Sequence, residues 1–438
     1  MSVQYPIPVA EDSPFPLQNI PFGIFSTDTD PTPRVGTIIG DQIIDVNLLA
    51  RQGAFDNLSN QDLSILRTAL LGQTLNHFAS LPRSVRSSTR QRMIDLLEEP
   101  SSILFKDKEI NSSAFTNEKE AKLHLPLQIG AFADFLCSET HHDNVSGNRM
   151  SGKSIPAFYH FPPMYTGRTT SIVLSGQPLK RPKGMIMRPP GFKEGPEFQF
   201  RTSTKMDYEV EIGVFISKPI PFGHRISADE AKEHIFGLIL LNDWSARDIQ
   251  FGEMIPMGPS NGKATATTIS PWVVMPDALG DAQVGFVSEK AKADISSHPP
   301  HLRHAVGAME VSWDIVLEAT VSGPNEPPTL VCRSNLKDLY WSPGQMLAHW
   351  VSAGSGANTG DLLGTGTASS PGHTDEMPTL GCLLELTEGG QKPFKLRSGR
   401  ELRWLEDGDE VVLTGWAKGK DGKRIGFGQA AGRLLPSH

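Results

Sequence analysis

The 438-residue chain has few cysteines: Cys137, Cys332 and Cys382. The number is odd and no two stand at a metal-ligand spacing. A disulfide scaffold is therefore not expected, and a reducing compartment, the cytoplasm, suits the chain better. Positive charge is not in excess either: 41 Lys and Arg face 49 Asp and Glu, for a net charge of −8. That balance argues against nucleic acid or an anionic membrane surface as the main partner. No apolar run approaches the about 18 residues that a membrane helix needs. The N-terminus, "MSVQYPIPVAEDSPFPLQNIPFG", lacks the basic start and apolar run of a secretory signal. No HExxH zinc pattern is present, and "GPSNGKATATT" fails the P-loop order because Ala264 follows Lys263. Internal repeats and low-complexity tracts are also missing.

What is present is an ordinary globular composition, 38% hydrophobic and 21% charged, with 41 Gly and 34 Pro. So many turn formers predict a mainly β fold with few helices. Residues 20–47 alternate short apolar runs with turns, and "IIGDQII" predicts a hairpin over its Gly-Asp pair. One helix is expected over 61–81, where Leu63, Leu66, Leu70 and Phe78 keep near-helical spacing, and a second over "SSTRQRMIDLLEE", stopping before Pro100. Residues 1–124 thus predict a small barrel with two helices. A boundary is expected near 125, after a polar stretch, with 125–438 a second, β-rich domain. In it, "MDYEVEIGVF" (206–215) reads as a strand, and "IFGLILLNDW" as a fully buried strand ending at Asp243. Ser227 and Glu230 form a capping box that is expected to start a short helix, and 189–205 is expected to be a long loop. "SPWVVMP", "MEVSWDIVLEATV", "LGCLLEL" and "DEVVLTGWA" supply further strand candidates. No helix alternates regularly with them, which argues against a doubly wound parallel sheet.

Glu209 and Glu211 stand two apart and so share one strand face. Solvated surface charge, an acid/base pair and the ligation of a hard cation all remain open for them. Their apolar neighbours weigh against simple solvation, because buried carboxylates need a compensating charge. Asp134 follows an apolar stretch and precedes "ETHHDN", a His-rich turn holding His141 and His142. "LNDWSARDIQ" puts Asp243, Arg247 and Gln250 at a strand end and helix start, a common place for functional groups. Lys263 with Thr267, and the loop "GTGTASS" (364–370), are small-residue segments able to admit a ligand or simply to turn.

"LNDWSARDIQ", "MDYEVEIGVF", "GK", "TTISPWVV" and "RIGFGQAAG", with "NIPFGIFS" and "RVGTIIGDQIIDV" upstream, resemble the fumarylacetoacetate hydrolase family over nearly the whole chain. The resemblance implies an N-terminal SH3-like barrel and a large C-terminal mixed β-sandwich-roll. It implies a hydrolase of carbon–carbon bonds in ketonic substrates, releasing fumarate and acetoacetate at the end of tyrosine and phenylalanine breakdown. The alternative is a paralogue that hydrolyses or decarboxylates another acylpyruvate or β-diketo acid. Carried onto this chain, the resemblance makes Asp134, Glu209, Glu211 and Asp243 ligands of Ca²⁺ or Mg²⁺, with Lys263 (through its carbonyl) and Thr267 near a second cation. It makes His141 the general base, Glu385 its orienting partner, and Arg247, Gln250 and Lys263 the oxyanion donors. Arg149, Tyr165, Gln250 and Thr367 would contact substrate. Leu136 and Met254 stand where the family has tyrosines. No organic cofactor is implied, and a homodimer is.

Overall fold

The structure is a computed structural model that describes all residues except 1–2, 59–62, 147–155, 189–196, 256, 295, 306, 375 and 438. Near the N-terminus, Gly and Pro turns cut the chain into short strands. Five of them, Phe22–Thr27, Arg34–Ile39, Gln42–Asp45, Phe115–Asn117 and Ala121–His124, form one antiparallel sheet. The expected hairpin is there: Ile39 pairs with Gln42, and Gly40 takes φ +61 in the turn between them. The helices are more numerous than expected. The segment 61–81 forms two, Leu63–Leu70 and Asn76–Ser80, broken at Gly72. The next begins four residues before the expected serine, at Arg83, and ends at Glu98.

The C-terminal part is built on an eight-stranded mixed sheet. Its main path runs Met164–Gly167, Phe132–Phe135, Leu362–Gly364, Val210–Ile216, Ile235–Ala246, Ala266–Ile269, Ile172–Leu174. A second, five-stranded sheet includes Ile315–Ser322, Glu410–Lys418 and Arg424–Leu435. The Ile235–Ala246 strand is buried at all twelve positions, on both faces. Alternation sorts its side chains from Leu238 on, and a register shift opposite Phe215 and Ile216 puts Phe236 out of phase with them. Leu238 and Leu240 join the core shared with Leu317 and Leu413 of the second sheet. Phe236, Ile239 and Leu241 instead pack with Phe22, Ile24 and Phe78 of the N-terminal module.

Several expected elements differ. "LGCLLEL" is not a strand but ends in a helical turn, Leu383–Leu386, whose first amides are held by a distant carboxylate. "ETHHDN" is a helix, Glu139–Ser146, rather than a turn. Of the expected loop 189–205, Phe198–Thr202 is a strand paired with Lys183–Met187, and 189–196 lie outside the described residues. The strand "SPWVVMP" is reduced to isolated bridges from Val273 and Val274. The Ser227–Glu230 capping box forms, but opens a 3₁₀ turn, Glu230–His234.

Candidate functional site

One face of the eight-stranded sheet changes character along its strands. At one end Phe132, Phe215, Leu241, Ile269 and Leu362 pack against the N-terminal module. Two or four residues further along the same strands, on the same face, stand Asp134, Glu211, Asp243, Thr267 and Gly364. The residues that make this end acidic are therefore set by strand alternation, while the apolar residues before them anchor each strand.

The strand expected over 206–215 is interrupted: Met206–Asp207 and Val210–Ile216 are its two pieces. Asp207 faces Ser245 and Val210 faces Asn242, so the same register sets Glu209 across from Asp243. Glu209 leaves the ladder, and its amide donates instead to Asn242 Oδ1 at 3.0 Å. The strand carrying Asp243 continues three residues beyond its expected end, to Ala246.

Asp134, Glu209, Glu211 and Asp243 are all buried, and each offers an oxygen within 4.8 Å of the others. Oxygens around one ion at roughly 2.4 Å can lie no further apart than about 4.8 Å, so the four fit one hard cation. Gly364 makes the room: a Cβ there would stand 2.7 Å from Glu211 Oε2 and 3.2 Å from Asp134 Oδ1. Asp134 Oδ1 and Glu211 Oε1 are buried without a hydrogen-bond partner among the described residues, as oxygens meant for a metal would be.

Lys263 reaches the group with its ammonium. Nζ bonds Glu209 Oε2, lies 2.9 Å from Asp243 Oδ2 and 3.7 Å from Asp134 Oδ2. Arg247 Nη2 donates to Glu209 Oε1 at 2.8 Å. Two cations, of which Arg247 is shared with Asp207, face four carboxylates, and the resulting deficit falls on the acids furthest from the cations. Burial, reinforced by the neighbouring acids, pushes the Asp134 carboxyl up to about 8 despite Lys263, and raises Glu211 well above the ordinary carboxylate range. Burial would raise Glu209 as well, but Lys263 and Arg247 outweigh it and lower the carboxyl to about 2. Burial alone would lower Lys263, but the surrounding carboxylates raise it.

Next to this cluster His141, on the Glu139–Ser146 helix, holds Glu385 with Nδ1 at 2.7 Å from Oε2. Asn144 Nδ2 and Ser369 Oγ donate to the same carboxylate at 2.8 and 2.6 Å. Burial raises the Glu385 carboxyl, but the His141 charge and these hydrogen bonds outweigh it and lower it. His141 lies close enough that its positive form helps lower Glu209. His141, Cys382 and Glu385 also cluster, but a thiol and an imidazole suit a softer ion than the all-oxygen set does.

The other expected residues fall around these two groups. Thr267 Oγ1 donates to Asp243 Oδ1 and Tyr165 Oη to Asp243 Oδ2, both at 2.7 Å. Arg247 Nη1 donates to Gln250 Oε1 at 3.0 Å. Thr367 Oγ1 is buried with no hydrogen-bond partner among the described residues. Leu136 is half-buried, two residues after Asp134, and Met254, past the end of the Arg247–Glu253 helix, is exposed. Arg149 lies outside the described residues.

Sequence reasoning missed Asp207, Asn144 and Ser369. Asp207 continues the Glu209/Glu211 alternation by two residues, and Asn144 stands one helical turn after His141. Both signals were available in the spacing. Ser369 carried none beyond its small-residue loop.

Comparison with known proteins places the chain among relatives along nearly its whole length. Residues 18–126 match the family described as fumarylacetoacetase N-terminal, and 130–434 match fumarylacetoacetate (FAA) hydrolase C-terminal. The fumarylacetoacetase of Rattus norvegicus is 40% identical over 98% of both chains, that of Homo sapiens 39% over 98% of both, and that of Arabidopsis thaliana 37% over 98% of both. A solved fumarylacetoacetate hydrolase from the psychrophile Exiguobacterium antarcticum shares the fold, with a TM-score of 0.51 at 16% identity, covering 95% of this chain and 99% of its own.

Proposed function

The chain belongs to the fumarylacetoacetate hydrolase family, and from that premise we propose that it is a fumarylacetoacetase: a metal-dependent hydrolase that cleaves 4-fumarylacetoacetate to fumarate and acetoacetate. The single observation that carries the chemistry is the buried His141–Glu385 pair beside four buried carboxylates. In this proposal Asp134, Glu209, Glu211 and Asp243 hold a divalent cation, Ca²⁺ or Mg²⁺, with Lys263 and Thr267 beside it. When bound, such a cation supplies Lewis acidity to the β-dicarbonyl oxygens of the substrate.

Glu385 accepts the Nδ1 proton of His141, which leaves Nε2 unprotonated to take a proton from water. The hydroxide oxygen adds to the ketone carbon that ends as the fumarate carboxyl. Arg247, the amide of Gln250 and Lys263 donate to the oxyanion that develops there; each such donor is typically worth about 3 kcal/mol. As the carbon–carbon bond breaks, its electron pair leaves with the acetoacetate carbon, and the imidazolium returns its proton there. The imidazole ends as it began. Tyr165, Thr367 and Arg149 complete the proposed substrate contacts.

An absorbance assay on 4-fumarylacetoacetate, with and without a chelator, tests the proposal. We expect activity that chelation abolishes and a divalent salt restores, and a loss of about 10²–10⁴-fold in His141→Gln. Activity indifferent to chelator and to His141 would refute it. A second reading has one observation behind it. Leu136 and Met254 carry no hydrogen-bonding group, which favours a paralogue acting on another acylpyruvate or β-diketo acid.

The proposal extends to organisation. We take residues 1–124 and 125–438 as two domains acting as one enzyme in the cytoplasm, consistent with three free buried cysteines. No helix among the described residues is long and apolar enough to cross a membrane. We also propose a homodimer. The Lys183–Met187/Phe198–Thr202 hairpin and the adjoining Arg247–Glu253 helix leave Met187, Phe200, Phe251 and Ile255 exposed, a face suited to a second copy. Sedimentation equilibrium would refute this by showing a monomer.

A further inference from the structure

Asp207 is fully buried and belongs to neither the carboxylate cluster nor the histidine pair, yet it touches the supports of both. Its Oδ2 accepts Arg247 Nε at 2.8 Å and the amide of Leu384 at 3.0 Å. Its Oδ1 accepts the amide of Leu383 at 2.7 Å and that of Tyr208 at 2.9 Å. Leu383 and Leu384 open the short helix Leu383–Leu386, whose own N-cap residue, Cys382, makes no side-chain capping bond. The first amides of a helix need acceptors from somewhere. Here they come from a carboxylate 176 residues away in sequence. Glu385 follows directly, so its position depends on that anchor.

We propose that Asp207 is a positioning residue that ties Arg247 to the turn carrying Glu385, and so fixes the oxyanion donor and the base's partner in one frame. The inference rests on the hydrolase reading above. The chain of contacts is continuous: Gln250 and Glu209 to Arg247, Arg247 to Asp207, Asp207 to the amides of 383 and 384, and Glu385 to His141. Only a carboxylate serves, because all four of its bonds are accepted ones. An asparagine would turn its amide N–H₂ toward either Leu383 and Tyr208 or Arg247 and Leu384, setting donor against donor in both orientations.

The test is Asp207→Asn in the metal-loaded, full-length protein. Steady-state kinetics on 4-fumarylacetoacetate should show kcat lowered by about 100-fold, as for loss of one oxyanion donor, with KM little changed. Proton NMR supplies a readout that needs no substrate. The His141 Nδ1–H resonance, assigned by its loss in His141→Gln, should move or broaden in Asp207→Asn while circular dichroism is unchanged. A purely structural residue would lower the melting temperature and leave both the kcat of the folded fraction and the resonance as in wild type; that result overturns the proposal. If Asp207→Asn does not fold, Arg247→Lys reads the same tie. It removes Nε from Asp207, and no hydrogen bond joins Arg247 to His141 among the described residues. The resonance should still move, and a stationary one overturns the proposal. A wild-type protein inactive on the diketo acid would count against the hydrolase reading alone, since the resonance still decides the tie.

Discussion

The protonation of Asp134 makes metal binding a pH-dependent event of calculable size. In the folded chain its carboxyl is pushed up to about 8 by burial and by its acidic neighbours. A carboxyl raised in this way contributes stability that is fully present below its unfolded value and is lost as pH rises toward about 8. The metal-free protein is therefore weakened as the group ionises, and a divalent cation stabilises most where that weakening is complete. Below about pH 8 the cation must displace the proton. Each proton displaced costs about 1.36 kcal/mol, or tenfold in affinity, per pH unit. At about pH 8 the group is half protonated, so between there and about pH 6 one proton weakens binding by about 50-fold; a second, on Glu211, would steepen it further. At a cation concentration about 100 times the dissociation constant at pH 8, binding stabilises the fold by about 3 kcal/mol. At about pH 6 that concentration is only about twice the dissociation constant, and the stabilisation falls below about 1 kcal/mol. Thermal unfolding with Ca²⁺ or Mg²⁺ and with chelator, at both pH values, measures the difference. The melting shift should shrink severalfold in acid, and Asp134→Asn, which has no such proton, should flatten the dependence. An equal shift at both pH values would refute the account of a charge-starved cluster completed by metal.

Thr267→Val removes the hydroxyl bonded to Asp243 Oδ1 and should weaken divalent-cation binding by about 10–100-fold; calorimetric titration checks it, and unchanged affinity contradicts the supporting role. Gly366 takes φ +72, a Cβ there would lie 1.9 Å from the carbonyl oxygen of Phe135, and its amide donates to Glu211 Oε2 at 3.0 Å. Gly366→Ala should therefore lower stability by more than about 2 kcal/mol in urea titration and impair cation binding along with it. Leu136→Tyr and Met254→Tyr should lower KM for 4-fumarylacetoacetate by up to about tenfold, the value of one hydrogen bond to a charged group; an unchanged KM removes these positions from substrate recognition.

Much of the site was legible before folding. Glu209 and Glu211 announce themselves by period-2 spacing in an apolar run, and Asp243 by ending one. Spacing also carried Asp207 and Asn144, which went unread because neither has a chemical motif of its own. The helical segments misled more. The repeat from Leu63 to Phe78 continues across Gly72, where the backbone breaks, and "LGCLLEL" has strand composition but becomes a helical turn. Local pattern cannot register that second outcome, because the acceptor for the turn's first amides lies on another strand.

By itself, the sequence determined the mainly β architecture, the alternation that lines up acids on one strand face, and, through motifs, the kinship that names the His141–Glu385 pair. Local residue chemistry suffices for these, since strand period and turn formers act over a few residues. Tertiary structure decided the rest: which strand ends converge, that Lys263 points its ammonium among the carboxylates, and that Asp207 joins two parts of the site. Those are consequences of which strands neighbour one another in the sheet. Burial strips water from the acids there, so their charges and protons are set by groups up to hundreds of residues away in the chain.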